Sequence, residues 1–338
     1  MVTFDQLEVS KDIQRRTGLT FHIATRFLPK RVRHATYILY AFFRVADEVV
    51  DDPDPAPARI QRRELARIRD AALGKQETSD PVLAAFAEMR ERYGIPDREI
   101  ELFIDAMDRD VTAETNPTPA AVFPTPTEME AYLRGSAVSV GYMMLAVMEP
   151  DDPTTARPHA SALGEAFQLT NFLRDVREDI DEYQRVYIPR TTLDRTGTAV
   201  ADIIAYRPTP GFREAIRLEV ERAEQKYRDG VAGITYLPKD CQFPVLLASV
   251  FYAEYHRLIR DRHYDVLTDP PTLRALDYAR LIVKTWIHWR RTGDPEQTFY
   301  HIAPIDQSSS TGHESDKQRS RLRVLNRYFG QMQSSWQK

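Results

Sequence analysis

Two groups of oxygen-bearing side chains are the residues in this sequence best suited to chemistry. One group lies in the segment 47–51, and the other spaces an amide and two carboxylates at intervals of four. Side chains four apart on a helix lie on one face. If both faces met in a helical bundle, they would bind Mg²⁺, which also takes phosphate oxygens as ligands. The expected ligands of Mg²⁺, or of Mn²⁺ in its place, are Asp47, Glu48, Asp51, Asn171, Asp175 and Asp179.

The first group follows an apolar helical segment, and Pro53 ends that helix just after the acids. Carboxylates in a last helical turn repel one another and oppose the helix dipole, at about 0.3–1 kcal/mol per charge. A bound cation would remove this cost. The alternative interpretation is a solvated acidic helix end that leads into a proline-rich loop.

The second group shares its helix with an apolar stripe at Ala166, Leu169, Leu173, Val176 and Ile180. Gln168, Asn171, Asp175 and Asp179 form a separate polar stripe at spacings of three and four. Arg174 stands beside these acids, and its planar guanidinium suits phosphate oxygens. The alternative interpretation is a solvated face held by salt bridges.

Several other classes of site lack their sequence signatures. No Glu-x-x-His or His-Glu-x-x-His motif occurs, and there is neither a P-loop nor a Gly-x-Gly-x-x-Gly fingerprint. The single cysteine, Cys241, excludes an intramolecular disulfide and cysteine-based metal sites. With 46 basic and 50 acidic residues there is no bias toward nucleic acid, so none is expected as a partner.

Apolar residues recur at three- and four-residue intervals without the alternation of strands, which predicts an all-α fold. Proline, glycine, asparagine and aspartate residues mark where the predicted helices begin and end. The predicted helices are 5–16, 31–51, 58–73, 80–92, 97–110, 127–148, 155–183, 211–230, 242–261 and 273–291. Loops are predicted at 52–57 and 112–126, and a mostly irregular connector at 187–210. One domain is expected over residues 1–304, followed by a polar, flexible tail over 305–338.

Taken together, these segments resemble the squalene/phytoene synthase family of head-to-head prenyl synthases. The resemblance covers about residues 18–290. It is carried by the segments 20–29, 40–51, 168–179 and 185–189, with a weaker match at 252–266. It implies the isoprenoid synthase (class I terpenoid synthase) fold, a helical bundle with a central cavity. It also implies Mg²⁺-dependent condensation of two identical prenyl diphosphates.

The resemblance gives individual residues their expected roles. Asp47, Asp51, Asp175, Asp179 and Tyr132 would be catalytic. The diphosphate-binding residues would be Arg44, Arg174, Arg185, Tyr187 and Gln168, and the substrate tunnel would be lined by Thr20, Phe21, Tyr40, Phe43 and Tyr252. The motifs are most similar to the carotenoid branch, so geranylgeranyl diphosphate is the expected substrate, phytoene the product, and no NADPH is expected. Farnesyl diphosphate, giving squalene or dehydrosqualene, is the alternative, and a helical metal-dependent pyrophosphohydrolase is the alternative from another class.

Four features depart from the family pattern. Thr20 stands where the family usually has serine, which keeps the hydroxyl. Val138 replaces a usual glycine and would narrow the space beside its helix. The 112–126 loop is longer and richer in proline than usual. Asp269-Pro270-Pro271 replaces a usual arginine, which leaves the base for the second diphosphate open among Arg274, Arg280 and Lys284.

The start of the chain has no signal-peptide apolar region, and the apolar run 142–148 is too short to span a bilayer. We expect a cytoplasmic protein. Residues 319–338 could form a basic amphipathic helix, which would permit peripheral contact with the cytoplasmic membrane. A helix packed on the domain, or one that never orders, is an equal alternative, and the oligomeric state is left open.

Overall fold

The computed structural model describes residues 2–52, 54, 56–111, 120–121 and 123–305. Of these residues 77% are helical and very few are in strands, so the fold is all-α, as the sequence predicts. The first half contains α1 (Phe4–Thr17), α2 (Leu19–Thr25), α3 (Lys30–Val50), α4 (Ala58–Ala72), α5 (Pro81–Tyr93), α6 (Asp97–Asp110), α7 (Pro126–Leu133) and α8 (Ser139–Met148). The second half contains α9 (Pro153–Arg174), α10 (Val176–Tyr183), α11 (Arg190–Thr196), α12 (Val200–Ile204), α13 (Pro210–Val231), α14 (Lys239–Asp261), α15 (Ala275–Thr292) and α16 (Pro295–Ile302).

Local sequence signals account for many of the helix starts. Thr3 and Thr125 form capping boxes with the residue three positions later. Asp152 and Thr209 cap α9 and α13, and each is followed by a proline at the first helical position. These caps satisfy backbone N–H groups that a helix cannot pair internally.

Three sequence predictions of secondary structure are corrected. The helix predicted over 155–183 is two helices, because Asp175 leaves helical geometry at φ −101° and ψ 13°. The connector 187–210 contains α11 and α12, so it is less irregular than predicted. Helices α2 and α16 were not predicted. Both are short, seven and eight residues, which gives periodicity little to act on.

One parallel bridge joins the predicted loop 112–126 to the residues between the predicted helix 155–183 and the predicted connector 187–210. The strand β1 (Ala120–Ala121) pairs with β2 (Arg185–Val186), and Ala120 lies opposite Arg185. The pairing holds the end of the segment after α6 against the segment after α10. Residues 112–119 and 122 of the predicted loop lie outside the described residues.

The centre of the bundle is built on α3 and α9. Helix α3 buries Val32, Leu39, Ala41, Phe42 and Ala46, and Phe42 stacks on Phe86 of α5 with ring centroids 3.9 Å apart. Helix α9 packs on α8, α13 and α14. Gly230 of α13 permits close contact there, since a Cβ at this position would lie 2.7 Å from the Leu163 backbone nitrogen.

Between α7 and α8 the chain forms a π-helical segment, Arg134–Val138. Helix α7, the π-helical segment and α8 form one continuous stretch, Pro126–Met148. Among the residues described, it is the one helical stretch that is long and apolar enough to span a membrane. Of its most apolar window, 56% is buried within the protein, as in the core helices of soluble proteins.

The chain from its start to Pro304 forms one compact unit. The predicted polar tail begins at Ile305, and its residues from 306 onward lie outside the described part of the chain.

Candidate active site

A cavity of about 720 Å³ lies within the bundle. Its lining combines carboxylates and guanidiniums with a large apolar and aromatic surface. Of the predicted metal ligands, catalytic residues, diphosphate-binding residues and tunnel residues, all but Glu48 line this cavity: Thr20, Phe21, Tyr40, Phe43, Arg44, Asp47, Asp51, Tyr132, Gln168, Asn171, Arg174, Asp175, Asp179, Arg185, Tyr187 and Tyr252. The structure therefore brings the two predicted groups of oxygen ligands to one site.

Helix α3 delivers the first group from its last two turns. The Asp47 carboxylate lies 3.6 Å from a guanidinium nitrogen of Arg44, and the Asp51 carboxylate accepts a 3.1 Å hydrogen bond from Arg185. The predicted ligand Glu48 differs, since its side chain is exposed and is not part of the cavity lining. Its place on the helix, one residue after Asp47, turns it to another face.

The second group comes from the end of α9 and the start of α10. The Arg174 guanidinium donates two hydrogen bonds to Asp175, at 2.6 and 2.5 Å. The Asn171 side-chain amide donates to Gln168 over 3.4 Å, while the Asn171 carbonyl oxygen Oδ1 is buried and has no hydrogen-bond partner within the described residues. A buried acceptor without a partner is costly, which favours a ligand at this point.

The two groups interact electrostatically across the cavity. Burial, and then the neighbouring Asp51, raises the pKa of Asp47 to about 7. Burial, Asp175 and Glu178 raise the pKa of Asp179 to about 8, and Asp51 from the other group adds to the shift. The part of these shifts that comes from neighbouring carboxylates is repulsion, which a bound cation would relieve.

The donor set fits a hard divalent ion, although the acids are not drawn together around one point. In the described residues, no three carboxylate, histidine or cysteine side chains are close enough to form a ready ion cluster. The fit rests on the unpartnered Asn171 oxygen and on the facing carboxylates, since carboxylate and amide oxygens are the ligands that Mg²⁺ prefers. Asp47, Asp51, Asn171, Asp175 and Asp179 are the residues that would hold it.

Arg185 connects three elements at the edge of the cavity. Besides Asp51, its guanidinium donates to the backbone oxygens of Val50 and Asp110, at 3.2 and 2.9 Å, and to the Tyr187 hydroxyl at 3.2 Å. Tyr187 in turn stacks on Phe172 with centroids 4.1 Å apart. Arg185 therefore carries a positive charge at a fixed place beside the acids.

The cavity also contains a carboxylate that sequence reasoning missed. Asp110, the last residue of α6, accepts a 2.6 Å hydrogen bond from the hydroxyl of Tyr132, and burial raises its pKa to about 6. No local pattern distinguishes Asp110 from the other acids of α6. Only the packing of α6 against the α7–α8 region shows that it reaches the cavity.

Aromatic rings form much of the remaining wall. Phe21 stacks on Tyr40 at 6.0 Å, and Tyr252 stacks on Phe167 at 4.7 Å. Gly18 permits this position of Tyr40, because a Cβ there would lie 2.3 Å from the Tyr40 hydroxyl. These ring faces can stabilise positive charge within the cavity.

Four other residues named from the sequence do not contribute to the cavity lining. Val138 is buried, and the neighbouring residues Ala137, Val140 and Gly141 line the cavity instead. Arg274 and Lys284 are exposed, and Arg280 pairs with Glu254 at 2.6 Å. The structure therefore brings none of the three proposed bases to the site.

The family description "Squalene/phytoene synthase" matches residues 14–277 of this chain. A phytoene synthase from Rhodobacter capsulatus is 30% identical over 273 residues, which cover 79% of this chain and 77% of the relative. A phytoene synthase from Thermus thermophilus is 31% identical over 284 residues, covering 84% and 93%.

Solved structures give the same fold. A dehydrosqualene synthase in complex with a ligand is similar with a TM-score of 0.73 and 25% identity, covering 85% of this chain and 97% of that one. A squalene synthase from Alicyclobacillus acidocaldarius is similar with a TM-score of 0.64 and 26% identity, covering 77% and 95%. The fold is therefore the all-α isoprenoid synthase fold that the sequence predicts. The chain belongs to the squalene/phytoene synthase family and is an enzyme of the prenyltransferase type.

Proposed function

We propose that this enzyme condenses two molecules of geranylgeranyl diphosphate head to head, through a cyclopropyl diphosphate, to phytoene, with Mg²⁺ as cofactor. The observation that carries the proposal is the shared cavity, in which facing acids and three arginines adjoin a long apolar and aromatic wall. The choice of phytoene rests on the relatives from Rhodobacter capsulatus and Thermus thermophilus, which are both phytoene synthases. The reaction would be the first step of carotenoid biosynthesis.

The polar end of the cavity suits a diphosphate. Arg44, Arg174 and Arg185 each lie beside a carboxylate of the same site, so a phosphate oxygen arriving there meets guanidiniums that are already in place. Bound Mg²⁺ would supply charge neutralisation for the departing diphosphate. The acids of α3 and α9–α10 hold that charge in position, and no protein nucleophile is required.

The apolar part of the cavity suits the prenyl chains and the cations derived from them. Phe21, Tyr40, Phe43 and Tyr252 place ring faces along the lining, each worth about 0.5–2 kcal/mol to a nearby cation. The Tyr132 hydroxyl is held by Asp110 and faces the same space. Apolar and aromatic walls offer water no hydrogen-bond partners and so would protect the cation from capture as an alcohol.

The proposal is tested by incubating purified full-length protein with Mg²⁺ and either geranylgeranyl or farnesyl diphosphate, each with and without NADPH. Hydrocarbons are then identified by mass spectrometry. We expect phytoene from geranylgeranyl diphosphate, with a yield that NADPH does not change. Omission of divalent metal should abolish the product, and Mn²⁺ should restore part of it.

A second candidate comes from the solved structures. A dehydrosqualene synthase and a squalene synthase share this fold, so farnesyl diphosphate is the competing substrate. A C30 product formed without NADPH would replace the proposal with dehydrosqualene synthesis, and one that requires NADPH would replace it with squalene synthesis. Release of inorganic diphosphate without any hydrocarbon would contradict both reactions.

A further inference from the structure

Helix α15 exposes a row of large apolar side chains on its outer face. Leu276 is 82% exposed, Val283 55%, Trp286 53% and Ile287 39%. Successive members of this row are seven, three and one residues apart, and all lie opposite the face through which Tyr278, Leu281 and Thr285 are buried. Soluble proteins rarely leave such a row uncovered, and contiguous exposed apolar surface usually marks an interaction site. We call this row the α15 face.

The α15 face is bordered by positive charge. Lys284, Arg290 and Arg291 are all exposed, and none of them forms an ion pair with a residue in the described part of the chain. Arg290 lies over the Trp286 ring at 6.0 Å. The helix has a single acid, Asp277, which accepts a hydrogen bond from the Arg274 backbone at the helix start. The face therefore combines apolar and cationic side chains.

The cavity reaches the surface next to the first turn of this helix. Leu273, just before α15, and Tyr278, in its first turns, both line the cavity. Leu19 lines the cavity as well and is 56% exposed, so this part of the wall is open to solvent. The Thr20 hydroxyl, 2.6 Å from that of Tyr278, fixes α2 against α15 at this point.

We propose that the α15 face docks on an anionic lipid bilayer, with the cavity opening at Leu19, Leu273 and Tyr278 beside the membrane surface. Apolar and aromatic side chains of a surface helix insert at the acyl boundary, while lysine and arginine contact anionic headgroups. The docking does not depend on which prenyl diphosphate the enzyme uses. It places the apolar cavity next to a phase in which a hydrocarbon dissolves.

The positive charge around the α15 face favours an anionic bilayer over a second copy of the chain or the C-terminal segment. A second copy of the chain would bring the same three cations together on both sides of the contact. The C-terminal segment 306–338 contains six basic and three acidic residues, so it also has the wrong sign to cover the face. An anionic surface is complementary to all of these groups.

Co-sedimentation of the full-length protein with vesicles tests the proposal. Vesicles of equal parts phosphatidylglycerol and phosphatidylcholine should bind the protein, whereas phosphatidylcholine vesicles should bind it far less, and added salt should weaken the binding. The double variant Val283→Ser/Trp286→Ser should lose about tenfold or more in affinity. Lys284→Gln and Arg291→Gln should each lose about fivefold.

Two matched variants separate this surface from other sources of binding. Ile60→Ser removes an apolar side chain of α4 that is 51% exposed and lies outside α15, and it should bind vesicles like the unchanged protein. Leu325→Ser/Phe329→Ser tests the C-terminal segment. If this tail variant abolishes binding while the α15 variants bind normally, the α15 face is not the docking surface. Equal binding to neutral vesicles, or no binding to either kind, would also overturn the proposal.

Thermal melting of each variant controls for folding. The substituted side chains of α4 and α15 are exposed, so the melting temperatures of those variants should stay close to that of the unchanged protein. Vesicle binding is measured without substrate, which keeps its outcome independent of the hydrocarbon assay for the proposed function.

Discussion

Arginine–aspartate pairs organise the polar end of the cavity. Arg174 binds Asp175, Arg185 binds Asp51, and Arg44 lies near Asp47. Each guanidinium has more N–H donors than its carboxylate partner uses. It can therefore turn toward a phosphate oxygen without leaving the site. These residues thus offer both signs of charge to a metal–diphosphate pair.

Replacing a proposed ligand acid with its amide should remove activity and keep the fold. Asp47→Asn should lower turnover by about 10²- to 10³-fold, because it removes negative charge that would hold the metal. Melting temperature should not fall, since the substitution also relieves repulsion between Asp47 and Asp51. Hydrocarbon yield and thermal melting in EDTA are the two measurements.

Glu48→Gln is the matched control for that variant. It makes the same chemical change one residue away, at an exposed position outside the cavity lining. Its turnover should remain within a few-fold of the unchanged enzyme. Equal losses for the two amides would mean that total helix charge, and not ligand position, controls activity.

Stability without divalent metal should depend on pH in a direction set by burial. The pKa values of Asp47 and Asp179 are raised to about 7 and about 8 in the folded protein, against about 3.9 for an unfolded chain. The resulting stability is complete below the unfolded value and is lost as pH rises through about 7 and about 8. The free energy of unfolding in EDTA should therefore fall as the pH rises from about 3.9 to about 8.

Mg²⁺ should flatten that pH dependence, because it favours the ionised acids. Denaturant unfolding at a series of pH values, with EDTA or with Mg²⁺, makes the comparison. Asp47→Asn should show a shallower slope in EDTA. An unchanged slope in this variant would argue that other groups titrate.

A spacing of four residues on a helix explains why most of the predicted site residues line the cavity and why Glu48 does not. Asp47 and Asp51, four apart, reach the cavity together, and the same spacing brings Asn171, Asp175 and Asp179 to it. Glu48 breaks the spacing and is exposed. Asp110 could not be predicted in this way, because its partner Tyr132 belongs to a different helix.

At the scale of elements, one side chain fixes the meeting point of three chain segments. Arg185 of β2 binds backbone oxygens at the ends of α3 and α6 and also the Asp51 carboxylate. Those carbonyls lie where helical hydrogen bonding ends and would otherwise lack partners. The β1–β2 bridge holds Arg185 in register with Ala120.

Arg185→Lys should therefore destabilise the protein although it keeps the charge. A lysine cannot reproduce the planar fork, so at least one helix-end carbonyl loses its donor, at a cost of about 2 kcal/mol or more. Denaturant unfolding measures this loss. Arg190→Lys is the control, since Arg190 forms an exposed pair with Asp194 and should cost less than about 0.5 kcal/mol.

A loss of activity in Arg185→Lys without any loss of stability would assign the residue to phosphate binding alone. A loss of stability without a matching rise in the Michaelis constant would assign it to structure alone.

Helix existence was easier to predict from the sequence than helix ends. Long amphipathic segments such as α3, α6 and α13 appear close to their predicted bounds, because apolar periodicity and a proline at or just before the first helical residue agree there. The break at Asp175 has no glycine or proline to signal it. It places Asp175 between two helices, where the side chain meets Arg174.

At the scale of the whole molecule, one face of α9 lines the cavity along its length. Asn171, Gln168, Gly164 and Ala160 all line the cavity. Ala160 lies eleven residues before Asn171, which at about 1.5 Å per residue is about 16 Å along the helix. The cavity thus extends from the oxygen ligands into a region walled by small and apolar residues, where chain length can be distinguished.

Ala160→Phe should shift the substrate preference toward the shorter prenyl chain. The larger side chain fills part of the apolar end, so the last isoprene unit of geranylgeranyl diphosphate loses its space, while farnesyl diphosphate fits. We expect kcat/KM for geranylgeranyl diphosphate to fall by about tenfold or more relative to that for farnesyl diphosphate, because a poorly fitting apolar unit costs about 1–3 kcal/mol. Ala160→Gly, which adds no bulk, should leave the preference unchanged. Equal losses with both substrates would show that Ala160 does not limit chain length and would place the limiting wall elsewhere in the cavity.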